Sequence, residues 1–175
     1  MTERPSNLES RRLSVLTWVP AMCFLPQVIG CGYSSERPFR NDVQTIYVEM
    51  MHSREFRREL EFKLTEALVK RIEMDTPYRI APRTRADTVL SGEIISVREQ
   101  ALGTDFDTDR PRELGTTFVM NWRWKDLRTG ELREMPRQIY TTSYIPPVGE
   151  TFDTAAVRGL DRLAEQVVEG MEKDW

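Results

Sequence analysis

Cysteine and histidine are nearly absent from this 175-residue chain, and each shortage removes a class of chemistry. The two cysteines, Cys23 and Cys31, lie in or beside an N-terminal apolar stretch. The rest of the chain therefore holds no thiol for a zinc site, a nucleophilic Cys-His pair or an internal disulfide. His52 is the single histidine, too little for a metal triad or a Ser-His-Asp arrangement. Placed just before the first expected helix, it reads as a boundary residue. An excess of one charge is also missing: 25 basic and 28 acidic side chains interleave along most of the chain. No basic stripe offers itself to a phosphate backbone, so no nucleic-acid partner is expected. Repeats and low-complexity blocks are absent, and scattered prolines and glycines punctuate what the length suggests is one domain.

What is present begins with an address. Arg11 and Arg12 form a positive n-region, and the apolar run Leu13 to Leu25 is too short and too proline-broken for a membrane-spanning helix. The stretch ends in Val28-Ile29-Gly30-Cys31-Gly32, similar to a bacterial lipobox, with an apolar residue three before the cysteine and a small one directly before it. Cys23 does not compete, because Met22 is too bulky for that last position. Residues 1–30 are therefore expected to be a lipoprotein signal peptide, and Cys31 the lipid attachment residue, carrying a diacylglycerol and an amide-linked chain such as palmitate. Two or three acyl chains make such an anchor effectively permanent. Gly32, where inner-membrane lipoproteins of enteric bacteria often carry Asp, points to the outer membrane. Export by the Sec or the twin-arginine route stays open.

Residues 31–42 read as a tether and 43–175 as the folded domain. Thr45 to Met50 is rich in β-branched and aromatic residues, as a strand requires. Ser53 is expected to cap a helix of about five turns, with Glu55 in its first turn. Its buried stripe would be Phe56, Leu60, Leu64, Ala67, Leu68 and Ile72, and it must end by Thr76-Pro77. Thr88 to Val97 is a second strand. In Thr117 to Lys125, Phe118, Met120, Trp122 and Trp124 share one parity and Thr117, Asn121, Arg123 and Lys125 the other, so one face is apolar and the other polar. Asp126 to Gly130 is a turn, and Gln138 to Tyr144 the returning strand. After Pro146-Pro147-Val148-Gly149, Thr151 or Asp153 can cap a final helix that buries Ala156, Leu160, Leu163, Ala164, Val167, Val168 and Met171. The order β-α-β-β-β-α implies an α+β fold: about four strands in a mostly antiparallel sheet, both helices packed on one face and the second face accessible. Part of the Trp122–Trp124 neighbourhood would remain uncovered.

Few residues suggest chemistry. Asp105-Phe106-Asp107-Thr108-Asp109 alternates like a calcium loop, but Arg110 stands where Gly is needed and Thr116 where Glu is needed, so a solvated inter-strand loop is expected. Arg79, Arg83, Arg85 and Arg98 are candidate contacts for lipid-headgroup phosphates. With Asp75, Asp87 and Glu99 nearby, a salt-bridged surface is the preferred reading. Trp122 and Trp124 are expected in the core rather than on a ligand platform, although with Tyr140 and Tyr144 on the neighbouring strand they could supply an apolar surface for acyl chains or a protein partner. No metal, cofactor or catalytic residue is expected.

These pieces together resemble the lipopolysaccharide-assembly lipoprotein family LptE. The resemblance rests on Gly30-Cys31-Gly32-Tyr33, Thr45-Ile46-Tyr47-Val48 before a charged helix, Phe62-Lys63-Leu64-Thr65-Glu66-Ala67-Leu68, Ala86-Asp87-Thr88-Val89-Leu90-Ser91-Gly92 and Trp124-Lys125-Asp126-Leu127-Arg128-Thr129-Gly130, in that order and spacing over residues 30–172. It implies a non-enzymatic, periplasm-facing outer-membrane protein that plugs an LptD-like β-barrel, aids its assembly and contacts lipopolysaccharide. The acidic segment 100–115 departs from that pattern. Two other functions are set beside it: a lipid-anchored adaptor of the same fold serving another envelope complex, and a periplasmic hydrolase using Asp105 and Asp107.

Overall fold

The strict alternation of one strand decides how this chain packs. The computed structural model describes residues 39–57 and 59–172, so Cys31 and the expected signal peptide lie outside the described residues. Strands β1 (Thr45–Val48), β2 (His52–Ser53), β3 (Arg79–Ile80), β4 (Thr88–Thr104), β5 (Pro111–Asp126), β6 (Leu132–Glu134) and β7 (Gln138–Tyr144) form one sheet with helices α1 (Leu60–Asp75) and α2 (Phe152–Glu169). Phe118, Met120, Trp122 and Trp124 of β5 are all buried. Their partners across the β4–β5 ladder, Val97, Ile94, Gly92 and Leu90, share that face. Ile46 and Val48 of β1 continue it through their pairing with Thr88 and Leu90.

The expected sheet of about four mostly antiparallel strands is larger and mixed. Seven strands take part, with β3-β1-β4-β5-β6 as the main path, β2 beside β4 and β7 beside β5. β1 runs parallel to both β3 and β4, and β2 is also parallel to β4. The chain reaches those positions through α1, the connection that parallel strands require. The segment 100–115 is likewise more ordered than the expected loop: β4 and β5 extend as a hairpin whose turn is confined to residues 105–110.

Both helices lie against the apolar face. α1 buries Leu60, Leu64, Leu68 and Ile72, one residue per turn, and α2 buries a wider stripe that includes every position expected of it up to Val168. Thr151 caps α2 through a reciprocal pair with Thr154, satisfying two N-terminal amides. The helices run in the same direction, stitched by Lys63–Asp153 at 3.0 Å and by Arg71, which reaches both oxygens of Asp161 at 3.2 and 2.7 Å.

α1 starts later than expected. Glu59 adopts left-handed backbone (φ 75°), so the helix begins at Leu60. Phe56, expected in its buried stripe, is fully exposed. Ser53 lies in β2 and accepts the Glu55 amide at 3.2 Å instead of capping a helix, while the Glu55 carboxylate accepts the Val97 amide at 2.9 Å. The Trp122–Trp124 neighbourhood is covered rather than open. Trp122 packs against Gly170, and Trp124 against Tyr78 at a ring separation of 6.0 Å.

Among the described residues packing begins at Phe39, inside the segment expected as tether. Phe39 is core and meets Tyr78 edge-on at 5.8 Å, and the Arg40 guanidinium lies over the Trp124 ring at 5.9 Å. A knot of charge secures this entry to the turn after β5. Buried Asp126 accepts the amides of Arg128 and Thr129 at 2.8 and 3.2 Å and the guanidinium of Arg128 at 3.0 Å. Arg40 approaches the same carboxylate at 3.4 Å, while Arg128 also donates to Asp42 at 3.1 Å. The Arg128 hydrogen bond is the chief cause that holds Asp126 down to about 2.

Two expectations follow. Because the folded value of Asp126 lies below its unfolded one, its stabilisation is complete above about pH 4 and is lost as pH falls toward 2; Asp126→Asn should cost about 2 kcal/mol at pH 7 and flatten the acid limb of the stability curve. At Gly159, a Cβ would stand 2.6 Å from the fully buried Phe118 ring. Gly159→Ala should therefore destabilise by about 1–2 kcal/mol in urea titration, although alanine is the better helix former by about 1 kcal/mol.

Candidate functional site

Period-two alternation gives the sheet a second face that neither α1 nor α2 covers. On β5 that face carries Thr117, Val119, Asn121, Arg123 and Lys125, and on β7 Ile139, Thr141 and Ser143. Thr117 and Thr141 share a cross-strand hydroxyl hydrogen bond of 2.9 Å. Between the levels of Val89 and Arg98, the face and its bordering loops present Arg54, Arg98, Arg123, Lys125 and Arg137 against Glu93 and Glu134. A chain of net charge −3 thus gathers a local excess of positive charge on its uncovered face.

The centre of this face is a cavity of about 570 Å³ lined by Arg54, Glu93, Asn121, Arg123, Glu134 and Arg137, with Gly92, Trp122 and Met135 completing the wall. Arg54 grips Glu93 with both edges of its fork, Nε to Oε1 at 2.9 Å and Nη2 to Oε2 at 2.8 Å. That pair holds the Glu93 carboxyl below its usual range, with smaller contributions from the charges of His52 and Arg123. Arg123 and Arg137 have no carboxylate within 4.0 Å among the described residues. The cross-strand neighbour of Arg123 is Glu134, and Arg137 immediately precedes Gln138, the partner of Met120. Arg123, Asn121 and Arg137 are thereby near neighbours, with side-chain origins within roughly 5–8 Å of each other.

The four arginines singled out in the sequence are spread over the sheet rather than gathered. Arg98 stands on the helix-free face opposite Thr117. Arg79 pairs with Thr45 at the β3 edge. Arg83 is engaged by Glu49 at 3.3 Å, and Arg85 lies in the β3–β4 turn, where its carbonyl accepts the Thr45 hydroxyl at 3.3 Å. Arg98 lies ten residues up β4 from Thr88, roughly 33 Å from the end where Arg79 and Arg85 sit. The alternation of β5 had marked Arg123 and Lys125 as outward-facing. Arg54 and Arg137 come from connections, where no periodicity signals a direction.

Asp105, considered for acid–base work, is committed to the hairpin turn. One oxygen accepts the amides of Asp107 and Thr108, both at 3.1 Å, and the Thr108 hydroxyl; the other takes Arg112 at 2.7–2.8 Å. These bonds, the Thr108 hydroxyl foremost, hold its carboxyl below the usual range, the reverse of what a general acid needs. Among the described residues no helix is long and apolar enough to cross a membrane.

A face used for binding rather than folding is expected to tolerate loss of its free cations. Arg123→Ala and Arg137→Ala should each change thermal stability by no more than about 0.5 kcal/mol, and Arg54→Ala, which breaks an exposed pair, by no more than about 1 kcal/mol.

Comparison with known proteins supplies a family. The model of the family described as LptE, lipopolysaccharide-assembly, matches residues 43–171. No match is found among curated proteins. Three solved structures share the fold at low identity. The hypothetical protein CT253 of Chlamydia trachomatis has TM-score 0.51 and 12% identity, covering 74% of this chain and 97% of that one. An uncharacterized lipoprotein B of Nitrosomonas europaea has TM-score 0.51 and 11% identity, covering 73% and 81%. PelC of Paraburkholderia phytofirmans has TM-score 0.51 and 13% identity, covering 79% and 96%.

Proposed function

The chain belongs to the LptE family of lipopolysaccharide-assembly proteins, and from that premise we propose that it is an outer-membrane lipoprotein, anchored through Cys31 after removal of residues 1–30, that serves an LptD-like β-barrel as plug and assembly factor. The family match over 43–171 is the observation that carries this reading, and the fold supports it physically. A compact two-layer domain with one sealed apolar core and one open polar sheet face suits a non-enzymatic partner that exposes polar surface inside an aqueous lumen. In this reading lipopolysaccharide phosphates meet arginines of the accessible surface. Arg98 on the helix-free face and Arg79 and Arg85 at its far end are contacts from the original set, while Arg83 is partly satisfied by Glu49.

Two measurements test the reading. Cys31→Ala should move the protein from the membrane to the soluble fraction while leaving its circular dichroism unchanged; continued attachment would contradict the anchor. Detergent extraction of the native protein followed by affinity recovery should bring down a large β-barrel partner. Recovery of a different envelope complex in its place would favour the adaptor reading.

A further inference from the structure

The cavity on the helix-free face has the parts of an anion site that folding does not use. We propose that Arg54, Arg123, Arg137 and Asn121 form a binding site for a phosphate group, a monoester or diester carried by a larger molecule. Arg123 and Arg137 bring two full positive charges to one cavity with no carboxylate within ion-pair distance among the described residues. The third guanidinium is already oriented. Glu93 fixes Arg54 through Nε and Nη2, which leaves the two protons of Nη1 free to donate from a held position. Asn121 lies on β5 directly opposite Glu93, where its amide adds a neutral donor.

The acidic residues limit the charge of the ligand. Glu93 is engaged by Arg54, and Glu134, on the strand beside Arg123, also lines the cavity, so its three guanidiniums exceed its two carboxylates by one charge. The site therefore fits a single phosphate and disfavours a polyanion such as a nucleic-acid backbone. Its placement suits a bulky phosphorylated molecule, since the surrounding sheet face is open and uncovered by either helix. The site stands on this chain's own geometry; only the identification of the phosphate bearer as a membrane glycolipid rests on the family-based reading above.

The test uses the full chain carrying Cys31→Ser in nonionic detergent, with two probes. Inorganic phosphate is titrated while the arginine Nε–H resonances are followed by NMR, and diphosphorylated lipid A in mixed micelles is titrated for affinity. Phosphate should move the Arg54, Arg123 and Arg137 resonances and leave that of Arg83, which Glu49 engages, in place. In Arg123→Ala/Arg137→Ala the Arg54 shift should vanish and lipid A affinity fall about tenfold, whereas Arg123→Lys/Arg137→Lys, which keeps charge but loses the fork, should fall part of the way. Phosphate shifts with unchanged lipid A affinity in the double alanine variant would support the site and assign it a soluble phosphate compound, against the glycolipid assignment. No phosphate shift at these arginines would overturn the site, and undiminished lipid A binding by the same variant would then show that the family-based reading survives without it.

Discussion

The pairing of β4 with β5 is the constraint on which the rest depends. These two strands are the longest in the structure and run antiparallel from Thr88–Asp126 to Thr104–Pro111. The side-chain period of a strand is two, so a slip of one residue would carry Phe118, Met120, Trp122 and Trp124 to the solvent face and leave both helices with nothing to pack on. The first of three register shifts, between Ile94 and Ser96, lets Val97 rather than Ser96 meet Phe118, so the apolar face continues up the hairpin; the other two lie near its tip, at Ala101/Gly103 and Gly103/Thr104. Beyond the first shift Tyr144 donates to Glu99 at 2.7 Å, and Arg57 pairs with the same carboxylate while lying 3.8 Å over the Phe152 ring. The base of the projecting hairpin is thus tied to the start of α2 by a polar link instead of by further core.

Long, regular elements were legible in the sequence because their signals are local. β5's alternation, the exact extent of β7 and the whole buried stripe of α2 up to Val168 follow from periodicity, and the reading of Trp122 and Trp124 as core holds. The parallel part of the sheet was not legible. β2 and β3 are two residues each, too short for any alternation, and they pair only because β4 presents an edge to β2 and β1 presents one to β3. The late start of α1 was hidden for another reason. Phe56 continues the four-residue spacing, but Glu59's left-handed backbone interrupts the helix between them, and tertiary bonds from Glu55 to β4 take the place of helical ones. Of the candidate site, only the residues on β5 were visible in advance. Arg54 and Arg137 reach it from connections, and that convergence exists only once the sheet has formed.

Electrostatics divides the molecule by role. Charged groups that link elements are paired across large sequence separations, as Arg71 with Asp161 between the helices, and Arg40 with Asp126 and Arg128 with Asp42 at the chain's entry. The basic groups of the helix-free face are mostly without such partners. An exposed ion pair contributes little to stability, so leaving Arg123 and Arg137 unpaired costs the fold almost nothing and keeps their full charge available. The same logic separates Arg83, held by Glu49, from Arg98, which has no ion-pair partner among the described residues.

The knot at Phe39–Asp42 also sets a scale of movement. The stretch of chain from Cys31, the proposed anchor, to Phe39 can span at most ~28 Å. From the knot to the hairpin turn, β4 alone extends about 50 Å. The arm is nearly twice the greatest span of that linking chain. For an anchored domain the two lengths set different bounds: the knot could lie no farther from the membrane than the linking chain reaches, whereas Phe106, at the far end of the arm, could range well beyond that distance.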